Sequence, residues 1–295
     1  MRHLPEGTVY INVDQGNMPA RLLSAVKALP GGRVAAFVHD TIPLDHPEVS
    51  THKSRVKFER LLHRVRQHAD VILTNSHVSA RDIERHLSAW GPVGRIHVAH
   101  LGVEPDFFQN EDNREAPPFT NPFFLMVGTI EPRKNHKLIL DVWDQLSREI
   151  APEKTPHLVI CGRRGWLNEE VFDRLNSSPL RGTYLHEFNN ISDAEIRTYL
   201  NHCTAALFPS IVEGFGLPPV EAAAAGAPVI CSDLEVFHET LGDIPIYASV
   251  TDSYAWKNAI IDLTQQAQGK GIADRDGGYT PPSWEAHFNT VLKMV

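Results

Sequence analysis

The sequence predicts an α/β fold built on parallel sheets and divided into two lobes. Three observations predict it. Short apolar runs rich in β-branched and aromatic residues recur along the chain, each followed by a helical stretch. That alternation places helices over a parallel sheet through right-handed crossovers. The runs are apolar throughout, as strands covered on both faces are, with no in–out alternation of polarity. Finally, 295 residues exceed one ordinary domain, and the polar, proline-containing stretch QNEDNREAPPFTN at 109–121 interrupts the pattern as a linker does.

In the first lobe, 1–108, strand runs fall at 9–13, 34–38, 71–74 and 96–99. Gly31-Gly32 follows a helix and reads as a turn. Residues 53–68 form an amphipathic helix with Val56, Leu61, Leu62 and Val65 on one face, and a second helix over 77–87 starts behind the capping pair Asn75-Ser76. Four strands are few for a Rossmann domain, and no glycine-rich strand-to-helix turn opens the lobe, so it reads as shortened. The second lobe, 122–280, carries six runs, at 123–127, 157–161, 183–188, 205–209, 228–231 and 244–247, enough for a doubly wound sheet. Helices are expected over 137–150, 168–176, 193–202, 217–225 and 251–266. A polar stretch at 269–282 leads to a final helix, 283–294, within a C-terminal segment 281–295. Its apolar face is expected to be Trp284, Phe288, Val291 and Leu292.

Composition excludes several classes. With 28 basic and 36 acidic residues the net charge is −8, which disfavours a protein that lives on nucleic-acid backbones. Three isolated cysteines, Cys161, Cys203 and Cys231, lack the spacing of a disulfide framework or a zinc site and read as buried small hydrophobes in a reducing compartment. No run approaches a membrane span, and the N-terminus lacks a signal-peptide core, so a cytoplasmic protein is expected. Helix 53–68 is strongly basic through Lys53, Arg55, Lys57, Arg60, Arg64 and Arg66. It suits either peripheral contact with an anionic bilayer at the inner face of the membrane or an ordinary helix with its apolar face inward.

Two segments carry the chemistry. In 205–233 a strand ends near Pro209, a loop runs over 210–216, and a helix begins near Leu217 or Pro218, where proline loses no hydrogen bond. Gly214 and Gly216 permit close backbone approach, and the helix start favours an anion such as diphosphate. Glu213 precedes the helix and Glu221 lies one turn inside it, a separation that suits one carboxylate on a sugar and the other on a ribose. Ala222–Ala225 allow tight packing on the sheet. In 123–135 a strand ends at Gly128 and its loop presents Arg133 and Lys134. Strand C-termini are where α/β folds bind ligands, and a planar fork beside a point charge suits diphosphate. Taken singly, a structural turn and a solvated cation pair explain these segments as well.

Together, VGTIEPRKN, CGRRGW and FPSIVEGFGLPPVEAAAAGAPVICSD resemble the nucleotide-sugar half of retaining glycosyltransferases of the GT-B fold, the group 1 family, also numbered family 4. The EPRKN and GRRGW spellings resemble mannosyltransferases of surface polysaccharide and lipopolysaccharide assembly. The resemblance implies two Rossmann-like domains facing a cleft, with the N-terminal one incomplete, since only 38 residues precede His39. It implies that Arg133 and Lys134 hold the donor diphosphate and stabilise the leaving nucleotide. Glu213 would lie against the donor sugar, and Glu221 would bond the ribose hydroxyls. The amides of Phe215, Gly216 and Leu217 would face sugar and phosphate. His39, in FVHDTIP, would approach the transferred sugar, with Asp40 capping or orienting. Arg163 and Arg164 would edge the nucleotide site or serve the surface, and 183–190 would grip the base through backbone. AHLGVEP at 99–105 departs from the family's Pro-Asn-Gly-Val-Asp run.

The implied reaction moves a sugar, mannose from GDP-mannose being favoured, to a glycan or lipid-linked saccharide acceptor with retention of configuration. It needs no cofactor and no metal, since no Asp-x-Asp motif is suitably placed and the two cations supply the charge. Glu213 is not expected to act as a covalent nucleophile. A second reading is a non-catalytic nucleotide-sugar-binding remnant, or a subunit that needs a partner, where an open sheet edge would invite self-association. A third, a nucleotide-sugar epimerase, is disfavoured by the E-x7-E and EPRKN spellings.

Overall fold

The computed structural model describes residues 4–14, 18–104, 116–119, 121–269 and 278–295. Most of the expected linker at 109–121 and of the polar stretch at 269–282 lies outside the described residues, as does 15–17 beyond the first strand. Two compact units result. The first comprises Met1–Gly102, Glu213–Phe215 and Pro282–Val295, the second Val103–Val212 and Gly216–Pro281.

The first unit holds a four-stranded parallel sheet, β1 (Val9–Asn12), β2 (Arg33–Phe37), β3 (Val71–Thr74) and β4 (Ile96–Val98), paired in that order. Its helices are α1 (Ala20–Lys27), α2 (Ile42–Asp45), α3 (His52–His68) and α4 (His77–Ser88). The hydroxyls of Thr51 and Ser76 cap α3 and α4, accepting from the Ser54 and Ser79 amides at 3.1 and 3.0 Å. The core-facing line of α3 is Phe58, Leu61, Leu62 and Val65. Val56, expected on it, is only half-buried, because the 3.6-residue period that aligns 61, 62 and 65 reaches back to 58. These side chains pack with Val34, Ala36 and Ile72 of the sheet. This packing of α3 is the arrangement of an ordinary helix with its apolar face inward. Its apolar face is already spent on the core, Arg64 donates to the Met18 carbonyl at 2.9 Å, and Lys53, Lys57 and Arg60 form a solvated outer face. No helix among the described residues is long and apolar enough to cross a membrane.

The other face of this sheet is covered by α11 (Trp284–Met294), which packs Val291 against Ala35, Phe37, Val71 and Leu73. The expected face of α11 needs correction. His287 and Val291 are buried, whereas Phe288 and Leu292 are exposed. The start of the helix is pinned where it passes Gly102, since a Cβ there would stand 2.2 Å from the Trp284 nitrogen. His287 Nδ1 lies 3.2 and 3.0 Å from the Ala99 and His100 carbonyls. Two acceptors require that nitrogen to carry the proton, and the bond turns the His287 side inward.

The second unit holds β5 (Phe123–Val127), β6 (His157–Cys161), β7 (Leu185–Phe188), β8 (Ala205–Phe208), β9 (Val229–Ser232) and β10 (Ile246–Ala248). Its helices are α5 (His136–Glu149), α6 (Glu169–Ser177), α7 (Asp193–His202), α8 (Leu217–Ala224), α9 (Glu235–Leu241) and α10 (Ser253–Gly269). All six strands are parallel, in the order β10-β9-β8-β5-β6-β7. The chain starts in the middle at β5, winds outward to β7, and returns to lay β8 on the other side of β5. This is the doubly wound order, and its reversal lies between β5 and β8. Its core gathers Phe124, Trp143, Leu158, Ile160 and Trp256, and the Trp143 indole donates to the Pro156 carbonyl at 3.0 Å. The three cysteines are buried thiols outside any disulfide. Burial pushes the Cys161 thiol up to about 12 and Cys231 higher, so neither supplies a thiolate.

Candidate active site

Doubly wound sheets bind ligands outside the strand C-termini where the order reverses. Here the loops that leave β5 and β8 flank that point, and the Ile211 amide ties them by donating to the Arg133 carbonyl at 2.8 Å. The β5 loop leaves through Gly128, at φ +136, and forms a single tight turn over Pro132–Lys134. Asn135, at φ 51, ends the turn and starts α5. Asparagine is among the few residues with a side chain that occupy this region readily. The turn presents two cations differently. Arg133 is held by Glu131, Nε to Oε1 2.5 Å, with Glu131 itself buried. Lys134 is buried and lies over Gly128, where an added Cβ would stand 3.6 Å from its Cε and 3.9 Å from its Nζ. Beside it, burial and then the Lys134 charge push His136 down to about 3, so that imidazole is neutral.

The β8 loop ends at Gly216, whose φ of 85 begins α8. A Cβ at that position would meet Phe237 Cε1 at 2.5 Å. Pro218 and Pro219 occupy the first turn and have no N–H. The Gly216 and Leu217 amides therefore carry the donor capacity of this helix start, and neither donates to a described group. With the helix dipole they form a donor-rich helix start of the kind that suits an anion. Glu221 sits one turn on, half-buried. Burial, then the charge of Asp193, pushes its carboxyl up to about 7.

That shift has a testable sign. Ionisation of Glu221 costs the folded state, so its contribution to stability is fully present below its ordinary value near 4.5 and is lost as pH rises through about 7. Glu221→Gln removes the ionisation. Urea unfolding is expected to show the variant at most about 3 kcal/mol more stable than the native protein at pH 8, and nearly equal to it at pH 4.5. An increment independent of pH would contradict the assignment.

The remaining expected residues belong to the first unit. His39 stands at the end of β2, its Nε2 3.1 Å from the Val13 carbonyl and its ring 4.8 Å from Phe37. Asp40 accepts from the Ile42 amide at 3.1 Å and so caps α2. Within the tripeptide Glu213–Phe215, the Gly214 carbonyl accepts from Ser76 Oγ at 2.7 Å and Ser79 Oγ at 3.1 Å. A Cβ at Gly214 would meet Asp40 Cβ at 2.8 Å and the His39 carbonyl at 2.9 Å. Glu213 is half-buried, and the Phe215 ring is buried 5.8 Å from His100. The structure thus gathers Arg133, Lys134, Gly216, Leu217 and Glu221 at one sheet end of the second unit, and His39, Glu213 and Phe215 in the first. Arg163 is exposed, and Arg164 has structural partners, both oxygens of Glu187 at 2.7 Å and Asn176 at 2.8 Å. Sequence reasoning missed Glu131. Its signal was an acid two residues before an arginine in a strand-end loop. It also missed Ser76 and Ser79 as the grip on Gly214, a contact across more than 130 residues that no local pattern encodes.

Residues 107–268 match the family model described as Glycosyl transferases group 1. The chain is 32% identical over 239 residues to the serotype-specific mannosyltransferase WbdA of Escherichia coli, covering 76% of this chain and 28% of that protein. It is 30% identical over 233 residues to the O-antigen chain mannosyltransferase RfbU of Salmonella typhimurium, covering 77% and 60%. The chain therefore spans less than two thirds of the length of either relative. Among solved structures it is similar to a sucrose-phosphate synthase from Thermosynechococcus elongatus, with TM-score 0.67 and 19% identity over 92% of this chain and 68% of that one. It is also similar to TarM, with TM-score 0.64 and 14% identity over 91% and 49%. Such likenesses show the fold, α/β of the GT-B kind.

Proposed function

We propose, starting from the fact that this chain belongs to the group 1 glycosyl transferase family, that it moves mannose from GDP-mannose to a saccharide acceptor, free or lipid-linked, with retention of configuration. The observation that carries the reading is the pairing of Arg133 and Lys134 with the start of α8 at the point where the second sheet reverses its order. The mannosyltransferase names of the relatives support the sugar. In the reaction the bond between the anomeric carbon and the diphosphate oxygen breaks, and the acceptor hydroxyl attacks from the face the nucleotide leaves, its proton passing to the departing diphosphate. Negative charge grows on the departing diphosphate, and Arg133 and Lys134 are pre-set to meet it. Glu131 keeps the guanidinium oriented through the 2.5 Å ion pair. Glu221 accepts from the ribose hydroxyls. Glu213 and His39 approach the transferred sugar, neither acting as a covalent nucleophile. The charge needed at the diphosphate comes from protein cations, so the reading is metal-independent.

Calorimetric titration with GDP, UDP and their mannose and glucose conjugates tests it. The guanosine ligands are expected to bind, and Arg133→Ala to weaken them by about 10- to 100-fold, the loss of one or two charge-assisted hydrogen bonds. Binding of uridine ligands alone would reassign the donor, and binding of none would overturn the reading.

A further inference from the structure

We propose that Trp166 is the platform on which the base of the donor nucleotide stacks, an inference that rests on the donor-site reading above. Residues 162–168 leave β6 and are latched on both sides. Toward β5, the Ile130 amide donates to the Arg163 carbonyl at 2.8 Å and the Gly165 amide donates to the Ile130 carbonyl at 3.1 Å. A Cβ on Gly165 would meet Thr129 Cγ2 at 2.8 Å. This seam lies three residues before Arg133. Toward β7, the Arg164 guanidinium engages both oxygens of Glu187 at 2.7 Å and lies 5.3 Å from the Phe172 ring. The order β5-β6-β7 sets neighbouring strand ends about 4.8 Å apart. Trp166 therefore stands one strand beyond the loop that carries the cations, on the side toward the end of β7.

On this anchored loop the chain displays what a mere turn would hide. Trp166 is 46% exposed and Leu167 49% exposed. Leu167 is held at φ 51, a left-handed conformation that costs a residue with a side chain and persists where its surroundings impose it. At the comparable bend before α5 the chain uses asparagine instead. Phe188, at the end of β7, is also exposed. A large exposed aromatic face at the ligand end of a sheet, one strand from the turn that carries Arg133 and Lys134, fits a planar heteroaromatic ring. Aromatic stacking accepts any base but favours the broader purine face, in keeping with guanosine.

The test measures affinity for GDP and for inorganic diphosphate, which has no base, on the native protein, Trp166→Ala and Trp166→Phe. Trp166→Ala is expected to weaken GDP by about 10- to 100-fold and leave diphosphate within twofold, with Trp166→Phe restoring most of the GDP affinity. GDP should also quench native tryptophan fluorescence, and this quench should be lost in Trp166→Phe. GDP affinity within twofold of native in Trp166→Ala would overturn the proposal; a fall in turnover alongside it would move Trp166 to the acceptor. Failure of the native protein to bind either ligand would instead overturn the donor-site reading.

Discussion

Lys134→Ala is expected to lower turnover with GDP-mannose by about 10²- to 10³-fold, the usual cost of removing one pre-positioned group from a site of developing charge. The ammonium is buried, so its attraction for the departing diphosphate is screened less than that of a surface cation. Its path over Gly128 and the turn ended by Asn135 fix it before substrate arrives. His136, held neutral beside it, cannot take over its charge at physiological pH. The ground-state donor already carries charge on its diphosphate, so some affinity will be lost too, but the larger effect belongs in kcat, because more charge develops as the bond breaks. Initial rates of GDP release with acceptor present, across donor concentrations, separate the two. A kcat within twofold of native would remove Lys134 from the reaction. The variant also removes the charge that helps depress His136, so a rise in that imidazole's pKa, followed by NMR, reports that the local fold persists.

Gly162→Ala is expected to be the most damaging glycine substitution in the second unit. The added Cβ would stand 1.8 Å from the Gly128 carbonyl oxygen and 2.7 Å from its carbon, and these are backbone atoms that cannot rotate away. The exits of β5 and β6 must part. This strains the bonds from the Gly128 amide to the Cys161 carbonyl at 3.0 Å and from the Gly162 amide to the Phe188 carbonyl at 2.9 Å. The cost is about 3 kcal/mol, a fall in Tm of about 5–10 °C. Because these exits carry Arg133 on one side and Trp166 on the other, nucleotide binding should fall as well. Gly94→Ala, with nothing within 4 Å of the added Cβ, is the control and should leave Tm within about 2 °C. Equal melting of the two variants would show that the seam is not rigid.

Much of this was legible before any coordinates. All ten apolar runs are strands, with ends within two residues of those expected, because strands covered on both faces must be apolar at every position. Longer helices were legible through their period. The short helices α2 and α9, of 4 and 7 residues, carry too few turns for a period to register and were not anticipated. Where an amphipathic stripe admits two rotations, periodicity alone misjudges it. On α11 the wrong pair, Phe288 and Leu292, was chosen over the polar His287, because a hydrogen bond to two distant carbonyls outweighs the transfer preference of a phenyl ring.

By itself the sequence determined the alternation of strand and helix, the buried sheets, and which residues stand at the strand exits, Arg133, Lys134, Gly216 and Glu221 among them. Only the tertiary structure decided the neighbours. It paired β5 with β8, Phe124 beside Ala205, and so put the cationic turn and the start of α8 at one reversal. It gave the tripeptide Glu213–Phe215 to the first unit under the hydroxyls of Ser76 and Ser79, and brought α11 back over Phe37 and Leu73. The physical reason is one of range. Burial, capping and turn preference are set by residues within a few positions of each other, whereas strand pairing and helix docking are settled by surfaces that meet only after the chain has closed.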